Sequence, residues 1–221
     1  MKTDKLISKN QPANWFNIIV SECLQEYPMH LVEIEPTEQV VDAGCNVGGF
    51  SHAFSNKFHN ILAIDASSYN VEQYQNTHKH TTLHRAFYSK DNEIVQLKKY
   101  MGDGDNDTSS GNFSITGFIN PINQHGFRDE EYEEVVSISL ESIIEMVGDI
   151  GLLKIDIEGA EWDALYGKDL TRIKYIVGEF HNFLGIQKQN ELFNWIGGTH
   201  EEIYSVGNGI DSHYIKLWKR K

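Results

Sequence analysis

Ionisable side chains stand at the carboxyl ends of several apolar stretches of this sequence. They are, in chain order, Asp42, Asp156, Glu158, Glu179 and His181. Carboxylates and imidazoles are groups that accept a proton from a reacting hydroxyl, and the unperturbed pKa of histidine lies near neutrality. Open α/β sheets bind ligands outside the carboxyl ends of their strands, so these residues are expected to meet at one edge of a sheet.

A turn of small residues follows the first apolar stretch. Gly44 and Gly48 come after Asp42, and a pattern with helical spacing begins at Phe50. Glycines allow backbone amides and a helix N-terminus to approach a ligand closely. The dinucleotide fingerprint G-x-G-x-x-G would need a second glycine where Asn46 stands, so the turn favours a ligand without pyrophosphate.

Asp65 ends the next apolar run, 21 residues after Gly44. A carboxylate at this place can accept hydrogen bonds from both hydroxyls of a ribose. A ribose-bearing ligand that lacks pyrophosphate and carries an amino-acid tail matches S-adenosylmethionine. The alternative is a structural glycine turn followed by an unrelated acid.

Charged residues also alternate along two later strand patterns. Side chains on a strand point alternately to its two faces, so Lys154, Asp156 and Glu158 share one face, as do Glu179 and His181. Buried charges are costly unless they are paired or face a ligand. If the two strands are neighbours, one pocket gathers these side chains, with His181 as a general base or, alternatively, as a structural residue. The acids and histidine could also hold a divalent cation, but several acids have another explanation, and we predict no metal.

The elements that must position these residues alternate between strand and helix patterns. Helices are predicted over residues 14–27, 50–57, 70–77, 140–147, 160–165 and 187–196. Strands are predicted over 40–42, 60–65, 81–88, 93–98, 112–118, 135–139, 151–158, 175–181, 202–206 and 213–218. This order predicts an α/β fold with three layers and a mostly parallel sheet that ends in an antiparallel C-terminal strand pair. Glu161 falls in the first turn of a helix, where the helix dipole explains an acid.

The length of 221 residues suits a single domain spanning residues 1–221. Within it, residues 1–30 are predicted to form an N-terminal helical extension. Residues 101–133 form an irregular segment, which we interpret either as a lid over the substrate or as a structural insertion.

Bulk composition excludes several classes of protein. The net charge of -13 argues against a general nucleic-acid binder. Cys23 and Cys45 are the only cysteines, which makes neither a disulfide framework nor a zinc site. We see no apolar run of signal-peptide or membrane-spanning length and expect a cytoplasmic protein that does not bind membranes.

Two segments together resemble the FkbM-type family of S-adenosylmethionine-dependent methyltransferases. They are residues 40–48 and residues 152–161, and the run from Lys154 to Glu161 is the more specific. The strand end at residues 177–181 is also similar to the family pattern, and the resemblance covers roughly residues 38–185. The sequence departs from the family at Cys45, where alanine is common, at Asp65, where glutamate followed by proline is frequent, and at Glu141, where aspartate is usual.

The resemblance implies a Rossmann-like class I methyltransferase fold, S-adenosylmethionine as cofactor and O-methyl transfer to a hydroxyl. The acceptor would be a sugar, a glycan or another small metabolite. The cofactor residues implied are Asp42, Gly44, Cys45, Asn46, Asp65, Ala66, Ala86 and Asp156. Of these, Asp42, Gly44 and Asn46 would hold the methionine end, Asp65 the ribose, and Ala86 would lie beside the adenine. The catalytic residues implied are His181, Asp156 and Glu158.

Three alternatives stay open at this point. An NAD-dependent sugar epimerase or dehydrogenase would share the fold, although Asn46 and the lack of a Tyr-x-x-x-Lys pair argue against it. A protein of the same fold could bind S-adenosylmethionine without catalysis. The third alternative, methylation of an RNA cap or a protein, is disfavoured for RNA by the acidic charge, so no nucleic-acid partner is expected.

Overall fold

The computed structural model describes residues 15–99, 113–114, 132–207 and 213–221. The strands are β1 (Gln39–Ala43), β2 (Ile61–Asp65), β3 (Thr81–His84), β4 (Ala86–Phe87), β5 (Ile94–Lys99), β6 (Phe113–Ser114), β7 (Tyr132–Ile138), β8 (Ile150–Ile155), β9 (Ile173–His181), β10 (His200–Val206) and β11 (His213–Arg220). The helices are α1 (Trp15–Glu26), α2 (Gly49–Ala53), α3 (Ser68–Gln75), α4 (Leu140–Val147), α5 (Glu161–Leu165) and α6 (Ile186–Thr199), with a short 3₁₀ turn at Met29–Leu31.

Seven strands form the main sheet, in the order β10-β11-β9-β8-β1-β2-β3. The five strands from β9 to β3 are parallel to their neighbours in this order. β11 is antiparallel to both β9 and β10. The predicted parallel sheet with an antiparallel C-terminal pair is therefore confirmed, and the carboxyl ends of β1, β2, β8 and β9 meet along one edge.

The central strands β1 and β8 are buried on both faces, and neighbouring residues along each of them enter different cores. Val40 and Leu152 pack with residues of α1 and α2, whereas Val41 and Leu153 pack with residues of α4, α5 and α6. Parallel strands covered on both sides are built from continuous apolar runs of this kind. Helices therefore cover both faces of the central strands.

The sequence predicts one strand over residues 81–88, and this prediction is wrong. The chain forms β3 in the main sheet, breaks at Arg85, and continues as β4 in a second sheet of order β4-β7-β5-β6. The Arg85 N–H donates to the carbonyl of Asp65 at 2.9 Å. Both halves have strand-forming residues, so local sequence cannot tell that they pair with different partners.

Other boundaries also differ from the sequence prediction. β8 ends at Ile155, so residues 156–159 form a loop in which Glu158 and Gly159 have φ values of 54° and 97°. α2 ends at Ala53, before the predicted residue 57. Most of the predicted lid, 101–133, lies outside the described residues. Among the helices that the structure describes, none has the length and apolar character that crossing a membrane requires.

Candidate functional site: a pocket and a carboxylate cluster at one sheet edge

The turn after β1 depends on the lack of a side chain at Gly44. This residue has φ of 72°, and a Cβ added there would lie 1.6 Å from the carbonyl oxygen of Asp156. Asn46 also has a positive φ, 49°, and its Oδ1 accepts a hydrogen bond from the Val47 N–H at 2.7 Å. The backbone of the β1 turn therefore passes directly against the loop that follows β8.

Asp65, at the end of β2, is held by N–H donors. Its carboxylate accepts from the backbone N–H groups of Asn46 and Ser67, each at 2.8 Å, and from Asn70 Nδ2 at 3.2 Å. The residue is only 8% exposed. Burial raises the pKa of Asp65, and these hydrogen bonds partly oppose the rise. The carboxylate thus joins the β1 turn to the start of α3.

Lys154 and Asp42 form a buried ion pair beneath the turn. Lys154 Nζ lies 3.3 Å from Asp42 Oδ1 and donates to the Gly44 carbonyl at 2.6 Å. Ser51 Oγ donates to the other Asp42 oxygen at 2.8 Å. Burial opposes the charge on Lys154, but Asp42 and Asp156 outweigh it and raise its pKa. Removing one member of such a pair leaves the other charge buried and unpaired, which costs about 3–5 kcal/mol, so neither residue can be replaced alone without disturbing the turn.

A pocket opens between the ends of β1, β2 and β8. Six residues predicted to form the site line it: Gly44, Asn46, Asp65, Ala66, Asp156 and Glu158. Asn70, Arg85 and Phe87 line it as well, and the sequence analysis missed them. Asn70 could have been found from its place in the first turn of the helix that follows Asp65. The pocket is therefore mostly the one expected, with additional polar and aromatic walls.

Three residues that the sequence analysis assigned to the cofactor are not among those that line this pocket. Ala86 is fully buried against Leu97 and Val135, and the flanking residues 85 and 87 take its place in the pocket wall. The reason is the alternation of side chains along a strand. Cys45 packs against Ala63 and Tyr74, and burial raises the pKa of its thiol.

Asp42 is the third of these residues. It is 0% exposed, and its two oxygens contact Ser51 and Lys154. It lies inside β1, before the chain reaches the pocket, so its carboxylate acts on the pocket through Lys154 and the turn. In this geometry the carboxylate of Asp42 therefore does not contact the methionine end of a ligand directly.

The second part of the site is a cluster of carboxylates around His181. Its Nδ1 lies 3.0 Å from Glu161 Oε1, and its Nε2 lies 3.4 Å from Glu158 Oε2 and 3.5 Å from Glu179 Oε1. The His181 side chain is 5% exposed. The adjacency of β8 and β9 confirms that these residues are brought together. Burial disfavours the charged ring, but the carboxylates, Glu161 foremost, hold the pKa of His181 well above its usual value.

Glu161 has a larger role than the helix dipole suggests. It is 2% exposed, and its Oε1 also accepts from the backbone N–H groups of Ile157 and Gly159, at 3.2 Å and 3.1 Å. The side chain therefore fixes both the loop after β8 and the ring of His181. Sequence analysis missed this role, because it explained Glu161 by the helix dipole alone.

Asp156 and Glu158 belong to both the pocket and the cluster. Burial, followed by the field of Glu179, raises the pKa of Asp156 to about 7. Burial raises the pKa of Glu158 to about 8, although His181 opposes the rise. A carboxyl group whose pKa is close to neutral can both accept and release a proton at physiological pH. The arrangement can therefore move a proton at the edge of the pocket.

The fold and the place of the pocket are those of a Rossmann-like class I methyltransferase. The sequence profile described as Methyltransferase FkbM domain matches residues 31–206. The chain belongs to this family. No curated protein sequence matches the chain.

One solved structure with a TM-score above 0.5 supports the fold. The fibrillarin/Nop5p complex matches with a TM-score of 0.55 at 9% identity, covering 98% of this chain and 90% of that one. An rRNA methylase from Streptococcus thermophilus gives 0.48 at 9% identity, covering 97% and 99%. Magnesium protoporphyrin IX methyltransferase from Synechocystis PCC 6803, with bound SAM, gives 0.44 at 10% identity, covering 93% and 78%. At 9% identity, the likeness to the first of these structures shows the fold alone.

S-adenosylmethionine is the cofactor of this methyltransferase, and the pocket fits it. The turn at Gly44 lets backbone line the pocket, Asp65 offers a carboxylate at its wall, and Phe87 offers an aromatic face. The recognition of an FkbM-type methyltransferase from the two sequence segments is thereby confirmed. Family membership also decides against the NAD-dependent alternative.

Proposed function

We propose that this enzyme methylates a hydroxyl group of a sugar, a glycan or another small metabolite. The observation that supports the proposal is that Asp156 and Glu158 lie both in the wall of the pocket and in the carboxylate cluster around His181. Both line the cofactor pocket, and Glu158 also contacts His181 at 3.4 Å. A hydroxyl must lose its proton when its oxygen is methylated, and these carboxylates provide a proton acceptor beside the pocket.

The remaining pocket residues bind the cofactor and orient it. Gly44, Asn46 and Ala66 supply the close backbone wall, and Asp65 is positioned to accept hydrogen bonds from ribose hydroxyls. When bound, S-adenosylmethionine supplies a methyl group attached to a positively charged sulfur, which an oxygen nucleophile can displace. Most of the rate enhancement then comes from holding the acceptor in line and excluding water.

His181 is assigned a positioning role rather than the role of base. Its two ring nitrogens face Glu161 on one side and Glu158 and Glu179 on the other. A ring that carries both protons has no lone pair with which to accept another. The proton of the acceptor is therefore assigned to Asp156 or Glu158, and His181 holds these carboxylates in place.

The charge of the chain favours a small neutral acceptor. With a net charge of -13, the protein repels polyanions at long range, whereas a neutral hydroxyl compound pays no such penalty. Carboxylates at the pocket edge also accept hydrogen bonds from hydroxyls next to the reacting one. A polyhydroxylated acceptor matches both features.

The test is methyl uptake from labelled S-adenosylmethionine by the full chain. The acceptor panel contains nucleotide sugars, free glycans, hydroxylated secondary metabolites, RNA and protein, and products are located by mass spectrometry. We expect label on an oxygen of a small hydroxylated compound. Label found on RNA or protein alone, or on no acceptor in the presence of cofactor binding, would overturn the proposal. Glu158→Gln is expected to lower uptake, with Glu145→Gln on the exposed face of α4 as the matched control.

A further inference from the structure

We propose that His181, Asp156 and Glu179 bind one divalent cation, Mn²⁺ by preference, at the carboxyl ends of β8 and β9. Each residue offers one ligand atom, and the three atoms lie within 4.8 Å of one another. Ligands at about 2.1 Å from an octahedral cation lie about 3 Å apart when adjacent and about 4.2 Å apart when opposite. Small side-chain rotations therefore bring the three atoms to coordination distance.

The orientation of the His181 ring gives a second reason. Its Nδ1 faces Glu161 Oε1 at 3.0 Å, and Glu161 is itself held by two backbone N–H groups. A histidine that binds a metal usually donates its other ring N–H to a carboxylate, which fixes the tautomer. With Nδ1–H donated to Glu161, Nε2 faces the side where Glu158 and Glu179 lie. A cation that binds there would displace the proton that Nε2 carries in the metal-free ring.

The ligand set indicates which cation is preferred. Carboxylate oxygens suit Mg²⁺, Ca²⁺ and Mn²⁺, whereas imidazole suits first-row transition metals. Mn²⁺ accepts both kinds of ligand and a coordination number that leaves positions for other oxygens. One imidazole with two carboxylates therefore matches Mn²⁺ better than Mg²⁺ or Ca²⁺.

The place of the cluster suggests what the cation does, and this step rests on the proposed function. Asp156 lines the cofactor pocket, so a cation bound to it lies at the pocket edge, within reach of an acceptor. Coordination lowers the pKa of a bound hydroxyl, and Glu158, outside the ligand trio, takes the released proton. A compound with two adjacent hydroxyls could coordinate through both oxygens, which makes vicinal diols the preferred acceptor class.

The binding experiment uses Mn²⁺ alone and the full chain, with neither cofactor nor acceptor. Free aqueous Mn²⁺ gives a sharp six-line electron paramagnetic resonance signal that is lost on binding. We expect one Mn²⁺ per chain, and at least tenfold weaker binding in Glu179→Gln and in Asp156→Asn. Glu145→Gln serves as the control and should bind like the native protein. No binding by the native protein, or native affinity in Glu179→Gln, would overturn the proposal.

Glu161→Gln distinguishes a positioning role from a purely structural one. Loss of a carboxylate that orients a metal-bound histidine weakens metal binding about 10–100-fold. If Glu161 were only structural, the variant would melt at a lower temperature but bind Mn²⁺ with native affinity when folded. Binding of one Zn²⁺ per chain by a protein that does not bind Mn²⁺ would overturn the choice of cation.

The two proposals fail in different ways. If Mn²⁺ binds as expected but no small hydroxyl compound takes up methyl groups, the proposed acceptor class fails and the cation site stands. If hydroxyl methylation proceeds equally in EDTA and in Mn²⁺, and the resonance signal is unaffected by the protein, the cation site fails and the proposed function stands.

Discussion

The two sides of the site use acids in opposite surroundings. On the β1–β2–α3 side, the carboxylate of Asp65 is surrounded by N–H donors from Asn46, Ser67 and Asn70. On the β8–β9 side, the ring of His181 is surrounded by carboxylates. In the first arrangement, N–H donors of the protein satisfy the negative charge of Asp65, and the remaining lone pairs of its carboxylate can accept hydrogen bonds from neutral hydroxyls. The second concentrates negative charge and so favours protons and cations.

Histidines on the two sides show the same contrast. Burial lowers the pKa of His78, beside His80 and His52, to about 4. Burial also disfavours the charged form of His181, yet its neighbouring carboxylates raise its pKa well above the usual value. Burial therefore keeps the ring of His78 neutral, whereas the neighbouring carboxylates keep the ring of His181 charged.

The largest effect is expected where the two sides touch, at Gly44. Gly44→Ala would place a Cβ 1.6 Å from the carbonyl of Asp156, so the β1 turn and the β8 loop must separate. A displacement of about 1 Å in a binding site can cost about 100-fold, and we expect at least that loss in affinity for S-adenosylhomocysteine by calorimetry. Gly148→Ala is the matched control, because Gly148 has a φ of 83° with nothing within 4 Å of an added Cβ. Equal affinity in both variants would show that the close approach is unimportant.

Next in size is the effect of Asp65→Asn. The new NH₂ group would face N–H donors of Asn46 or Ser67, and the ribose would lose a charged acceptor. A hydrogen bond to a charged group is worth about 1.5–3 kcal/mol, so affinity for S-adenosylhomocysteine should fall about tenfold or more. Asp149→Asn, an exposed acid paired with Arg172, is the control. Unchanged affinity would remove Asp65 from the ribose site.

A smaller effect, on turnover alone, is expected on the β8–β9 side. His181→Asn removes the ring that orders the carboxylates, and turnover should fall about tenfold, as for other residues that orient a site. His181 does not itself line the pocket among the described residues, so affinity for S-adenosylhomocysteine should stay within about twofold, since only direct contacts carry most binding energy. Separate measurement of single-turnover rate and binding tests this. A large loss of cofactor affinity would contradict the division into two sides.

The smallest effect concerns stability and pH. Because the pKa of His78 in the folded protein, about 4, is below the unfolded value, the unfolded chain binds more protons as the pH falls, and stability falls below about pH 6.5. His78→Gln removes this contribution, so its melting temperature should fall less between pH 7 and pH 5. A difference of about 2–4 °C corresponds to about 1 kcal/mol in a chain of this size. If the melting temperatures of the native protein and of His78→Gln fell equally between pH 7 and pH 5, the assignment of a neutral buried ring to His78 would be contradicted.

The sequence alone determined most of the helices and strands and placed the site at one edge of the sheet, although not the exact end of β8. The helix predicted over 140–147 is observed with the same bounds, and the antiparallel pair at the C-terminus is observed as β10 and β11. These features depend on periodicity within a few residues. The glycine turn and Asp65 were found for the same reason, since a turn and the strand before it are local in sequence.

Tertiary structure decided which side chains face which partner. Lys154 holds the carbonyl of Gly44 across 110 residues of sequence, and the ring of His181 meets Glu161 only because β9 lies beside β8. Ala86 faces away from the predicted position because the chain changes sheets at Arg85. Periodicity shows that a side chain is buried, but the charge and hydrogen-bond partners around it come from strands that the chain brings together only on folding.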